Sequence, residues 1–238
     1  MPSISEKSFG QRFEKSNQLL SFLNTVPNYA PNNNRITVAG FTAFLNDIQA
    51  ANMQVSNSLH SLAMSRADRI ESYFGSNGLK NMCMAIRDSI GAMPNGRESA
   101  AYKSVQKLCQ KFTNYRKPSK KALQQTSAKQ ISQSELSFGS LYETGNQILS
   151  LINNLPHYST PNPHITVAGF SQFLANLLAL NRAVSDGLSV YRNAVANRQN
   201  VYNGNDGLQV RVQEIKSYIA AQFGKKSSEY STILKIKF

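Results

Sequence analysis

"ITVAGF" stands at residues 36–41 and again at residues 165–170, and how this hexapeptide is read decides the fold. Its glycine invites comparison with a phosphate-binding loop. Such a loop needs a GxxxxGK[ST] pattern on a strand-to-helix turn, and neither is present. The residues suit a helix start instead. Thr37 is a natural N-cap, and Ile36 before it and Phe41 four residues after it form the two halves of a hydrophobic staple. Thr166, Ile165 and Phe170 repeat the arrangement.

Working outward, an offset of 129 residues carries "SFGQRFEKSNQLLSFLNTVPNY" (Ser8 to Tyr29) onto "SFGSLYETGNQILSLINNLPHY" (Ser137 to Tyr158). The same offset pairs Asn52 with Asn181, Arg69 with Arg198, Tyr73 with Tyr202 and Gly78 with Gly207. Beyond Gly96 it becomes 128, pairing Tyr102, Val105 and Leu108 with Tyr230, Ile233 and Ile236. The pattern predicts two copies of one unit. Residues 1–113 form repeat 1, residues 114–136 a polar, basic linker, and residues 137–238 repeat 2.

Each copy reads as helices throughout. A first helix, about Ser8 to Asn24, is broken by "PNYAPNNN", because proline and asparagine favour turns. After the staple, Phe41, Leu45, Ile48, Asn52, Val55, Leu59, Leu62, Arg66, Arg69 and Tyr73 keep a strict 4,3,4,3 spacing, the seam of a coiled-coil-like helix. The second copy repeats it from Phe170 to Tyr202. Two shorter helices close each copy, from Gly78 and Arg97 in the first and from Gly207 and Ser227 in the second. The expected fold is all-α: two tandem four-helix repeats, each with one long helix, packed about a pseudo-twofold axis.

Asn52 and Asn181 interrupt otherwise apolar seams. They are read as register-fixing polar residues that hydrogen-bond each other where the long helices cross, rather than as ligand contacts. Arg69 with Tyr73, and Arg198 with Tyr202, lie one turn apart, which suits guanidinium–tyrosine stacking.

Catalysis has little to draw on. His60, His157 and His164 are scattered, no HExxH, CxxC or nucleophile-elbow pattern occurs, and the paired Glu14 and Glu143 read as solvated helix charges. Cys83 and Cys109 read as small buried hydrophobes. No enzyme activity, cofactor or metal is expected. The longest apolar runs are far shorter than the ~20 residues of a membrane span. The N-terminus lacks a secretory pattern, so a cytoplasmic location is expected.

Charge is the compositional outlier: 26 Lys+Arg against 13 Asp+Glu leave a net +13. The cations concentrate from Arg97 onward. Arg97, Lys103, Lys107, Lys111, Arg116, Lys117, Lys120 and Lys121 are opposed by Glu98 alone, and Tyr102, Phe112 and Tyr115 are interleaved as aromatics that could stack on bases. Lys225, Lys226, Lys235 and Lys237 form a counterpart near the end of the second copy. The expected function is non-enzymatic binding of nucleic acid or a ribonucleoprotein through basic helix faces. The alternative is a protein-interaction or structural module for an acidic partner.

The stretches "YAPNNNRITVAGFTAFLNDIQAAN" and "IKSYIAAQFGKKSSEYSTILKIKF" resemble a family of short, basic, duplicated helical proteins of Bacteroidota-type bacteria. The resemblance implies a helical repeat and a bacterial setting, and it brings no activity, ligand or site residue. In architecture and charge the chain is also similar to small basic helical bundles that act as accessory proteins to RNA or reverse transcriptases, which implies a nucleic-acid partner by analogy only.

Overall fold

The computed structural model describes residues 4–113 and 128–236. Among them all regular secondary structure is helical. The α-helices are α1 (Ile4–Leu23), α2 (Val38–Phe74), α3 (Leu79–Gly91), α4 (Ala100–Thr113), α5 (Ala128–Asn153), α6 (Val167–Asn203), α7 (Leu208–Phe223) and α8 (Ser228–Lys235). Single 3-10 turns at Asn34–Ile36, Gly96–Glu98 and Pro163–Ile165 precede α2, α4 and α6. The expected basic linker, residues 114–136, is already helical from Ala128, and its remainder lies outside the described residues.

The hexapeptide starts a helix in both places. Thr37 is extended, with ψ 158°, and its Oγ1 accepts from the Gly40 N–H at 3.0 Å while donating to the Asn34 carbonyl at 3.0 Å. Thr166 does the same with Gly169 and Pro163, also at 3.0 Å each. Ile36 and Phe41 are buried, as are Ile165 and Phe170. The turn ahead is held as well: Tyr29 Oη donates to the Ile36 carbonyl at 2.6 Å, and Tyr158 Oη to the Ile165 carbonyl at 2.8 Å. The glycine answers to close approach, since a Cβ on Gly40 would run into the Asn34 carbonyl oxygen, and one on Gly169 into that of Pro163.

Helices α2 and α6 have 37 residues each, about 55 Å at 1.5 Å per residue. Their buried stripe departs from the strict seam. Leu59 is 38% exposed, and Ser58 takes its place at 7%. The departure is local, since Leu62, Arg69 and Tyr73 further along stay buried at their expected positions. In α6 the departure comes later, with Leu188 buried and Ala194 replacing Val195.

The compact units do not follow the tandem division. One compact unit joins residues Met1–His60 to Ser189–Phe238, and the other is Ser61–Leu188. Each boundary falls inside a long helix. The expected tandem bodies are therefore not the packed bodies: each unit combines the front of one copy with the back of the other.

In the first unit, Leu19, Phe41 and Ile48 share a core with Leu208, Ile215 and Ile233. Helix α7 meets the turn before α2. The Tyr29 and Tyr218 rings meet edge-on at 5.2 Å, and the Ala30 N–H donates to Tyr218 Oη at 3.3 Å. A polar clasp surrounds them. Arg35 pairs with Asp206 at 2.7 Å, and Arg211 donates to the Arg35 carbonyl at 3.0 Å while its guanidinium lies 4.0 Å from the centre of the Phe44 ring. In the second unit, Tyr73, Leu79, Ile86, Val105, Ile148 and Phe170 belong to one core, and helix α3 packs on the turn before α6.

Gly→Ala inside a helix normally stabilises by about 0.5–1 kcal/mol. Gly40→Ala and Gly169→Ala should instead destabilise by about 1–3 kcal/mol, the usual cost of overpacking. At Gly10 and Gly139 an added Cβ meets nothing within 4 Å, and alanine there should raise stability. Urea denaturation of the four variants checks both signs.

Candidate functional site

Helix α4 begins where its capping residue dictates. Ser99 is extended, its Oγ accepts from the Tyr102 N–H at 3.1 Å and donates to the Gly96 carbonyl at 2.6 Å. Gly96 is needed beneath it, because a Cβ there would run into the Ile90 carbonyl. The helix then buries Val105, Cys109 and Phe112 against α3 and α5. Its opposite face carries Lys103, Lys107 and Lys111, all exposed. Four-residue spacing places successive ammonium stems about 6 Å apart along the axis and 40° apart around it. Arg97, also exposed, stands at the foot of the helix. Among the described residues none of these four takes part in an ion pair.

Of the interleaved aromatics, Tyr102 and Phe112 do not join this face. Phe112 is 2% exposed, because it falls nearly opposite the lysines on the helical wheel. The Tyr102 ring packs inward, 3.0 Å from where a Cβ on Gly91 would stand. Phe112 is thereby withdrawn from base stacking, and Tyr102 is half-buried. Tyr115, Arg116, Lys117, Lys120, Lys121 and Lys237 lie outside the described residues.

The counterpart in the second copy is not a helix face. Lys225 and Lys226 are exposed in the turn after Gly224, whose φ of 88° suits glycine, and Lys235 is at the far end of α8. Ser227 caps α8 by accepting from the Tyr230 N–H at 3.1 Å. Glu229 sits in the first turn, its carboxyl held below the usual range by hydrogen bonds from its own backbone N–H and from Ser228. Only Lys235 occupies a position matching the α4 lysines, that of Lys107.

The seam residues form two clusters that sequence reasoning only half anticipated. Asn52 and Asn181 do not bond each other. Asn52 Nδ2 donates to Tyr202 Oη at 3.0 Å, and Asn181 Nδ2 to Tyr73 Oη at 2.8 Å. Tyr202 Oη in turn donates to the Phe9 carbonyl at 3.1 Å. The buried arginines stack on phenylalanine rings, Arg198 over Phe9 at 4.5 Å and Arg69 over Phe138 at 4.1 Å. Arg12 covers the Tyr202 ring at 5.0 Å. Phe9 and Phe138 were visible in the repeated "SFG", but nothing in their spacing from the long helix names a partner.

The remaining candidates are plain. His60, His157 and His164 are exposed, as are Glu14 and Glu143. Cys83 and Cys109 are free and buried, with Cys109 Sγ 3.4 Å from the Cys83 carbonyl. Among the described residues no helix is long and apolar enough to cross a membrane. No family model, curated protein or solved structure matches the chain.

Burial pushes several neutral acids upward: Tyr73 to about 12 and Cys109 to about 11, with Tyr158, Tyr202 and Cys83 moved in the same direction. A raised folded pKa means the native state holds its protons longer than the unfolded chain, so the stabilisation is full below the unfolded value and is lost as pH rises. Melting temperature should therefore hold level up to the ordinary thiol value of 9.0 and fall steadily toward about 12. Circular-dichroism melts across that range check the slope. A level profile to the alkaline end would contradict it.

Proposed function

We propose that the protein binds nucleic acid, free or within a ribonucleoprotein, with little sequence preference, through the lysine face of α4. The observation that carries this reading is the row of Lys103, Lys107 and Lys111, exposed opposite the buried face of a rigidly capped helix and without a carboxylate partner among the described residues. Cations held in a row by a packed helix neutralise successive phosphates and release their counterions. With Phe112 and Tyr102 turned inward, affinity rests on phosphate contacts, which position a backbone without reading bases. The net charge of +13 adds long-range attraction to any polyanion. Lys225 and Lys226 in the turn before α8 and Lys235 at its far end serve as a weaker second contact.

Fluorescence anisotropy with labelled single- and double-stranded RNA and DNA over a salt series tests the proposal. The native chain should bind all of them with a steep log K against log [salt]. Changing Lys103, Lys107 and Lys111 together to glutamine should lower that slope by about 2–3, given roughly 0.7–0.9 per neutralised phosphate. Lys225→Gln with Lys226→Gln should lower it less. Equal slopes for native and triple variant would remove the α4 face from the function, and no binding at low salt would redirect the search to an acidic protein partner.

A further inference from the structure

We infer that the two copies in this chain are each other's binding partners, so that the molecule is an exchanged pair joined by a tether, and the surface each copy presents fits a second copy of the same pattern. The polar contacts of both seam clusters run from one copy to the other. Phe9 and Asn52, from the first copy, are engaged by Arg198 and Tyr202 of the second. Conversely, Phe138 and Asn181 are engaged by Arg69 and Tyr73 of the first, with the Tyr73 and Phe138 rings 4.9 Å apart. The cores agree, since Phe41 shares a core with Ile215 and Ile219, while Phe170 shares one with Ile86 and Ile90.

The four matched pairs (Phe9 and Phe138, Asn52 and Asn181, Arg69 and Arg198, Tyr73 and Tyr202) are identical in type. The front of any copy therefore carries the Phe and Asn that the back of any other copy grips with Arg and Tyr. Parted from its partner, each copy would leave two half-cores open to water. The tether between the copies then acts as a source of local concentration, turning a bimolecular association into an intramolecular one.

The test uses the full chain with a protease site inserted between residues 114 and 127. Cut while folded, the protein should remain one particle of the uncut mass by size-exclusion chromatography with light scattering. Its melting temperature should rise with protein concentration after the cut and not before it. Fragments that elute apart as folded species, or a melting temperature that ignores concentration after cutting, would overturn the inference. Asn52→Ala and Tyr202→Phe, on opposite fragments, should each raise the dissociation constant of the cut pair by roughly tenfold, and together by less than the product, because they remove one shared hydrogen bond. Fully multiplicative effects would show that the two residues do not meet across the pair.

Discussion

A tyrosine hydroxyl at the end of each long helix is the interaction on which the rest of the structure turns. Tyr202 and Tyr73 are among the largest fully buried side chains, and a buried phenol left without partners costs about 1–3 kcal/mol. Each receives the amide of an asparagine from the other copy, and Tyr202 also reaches the Phe9 carbonyl. Those bonds place α1 against α6 in the first unit and determine which stretch of α2 lies beside it. Burying Arg69 and Arg198 becomes tolerable in the same stroke, since a phenylalanine face offers a guanidinium an electrostatic partner that needs no second charge.

The lysine face follows from the same packing at one remove. Val105, Cys109 and Phe112 lock one side of α4 into the second core, which leaves the lysines no choice but the opposite side. Helix α8 buries a single large apolar residue, Ile233, and is about half the length of α4. Its cations therefore gather at its ends rather than in a row. Two segments that match in sequence thus differ in what they can offer a phosphate backbone.

Much of the local structure was legible before any coordinates. The Thr37 cap, its staple and the length of α2 all follow from spacing, because capping and amphipathic periodicity are near-neighbour effects. The exchange of halves was not legible, for a physical reason: a copy aligned with its twin shows which positions are alike, and says nothing of whether Asn52 meets Tyr73 or Tyr202. Leu59 was misplaced at one turn only, where its neighbour Ser58 turns inward, and the expected spacing resumes at Leu62, Arg69 and Tyr73. Phe112 was grouped with the lysines by adjacency along the chain, although it lies on the other side of the helix. Whether the α4 face meets nucleic acid is a matter of partner chemistry, which charge and exposure narrow without naming.

The clasp around Arg35 bears on identity rather than strength. Asp206 is 79% exposed at its side chain, and an ion pair that open to water contributes about 0–1 kcal/mol. Yet the positions that match Arg35, Asp206, Arg211 and Glu214 in the other copy hold His164, Asn77, Met82 and Ala85. If the front of the first copy were to close on its own back, Arg35 would face a neutral asparagine and alanine and lose both carboxylates. Divergence at these four sites removes the charge partners that the first copy's own back would otherwise offer Arg35. A partner withheld from one pairing is a means of discrimination that leaves the other pairing's contacts intact.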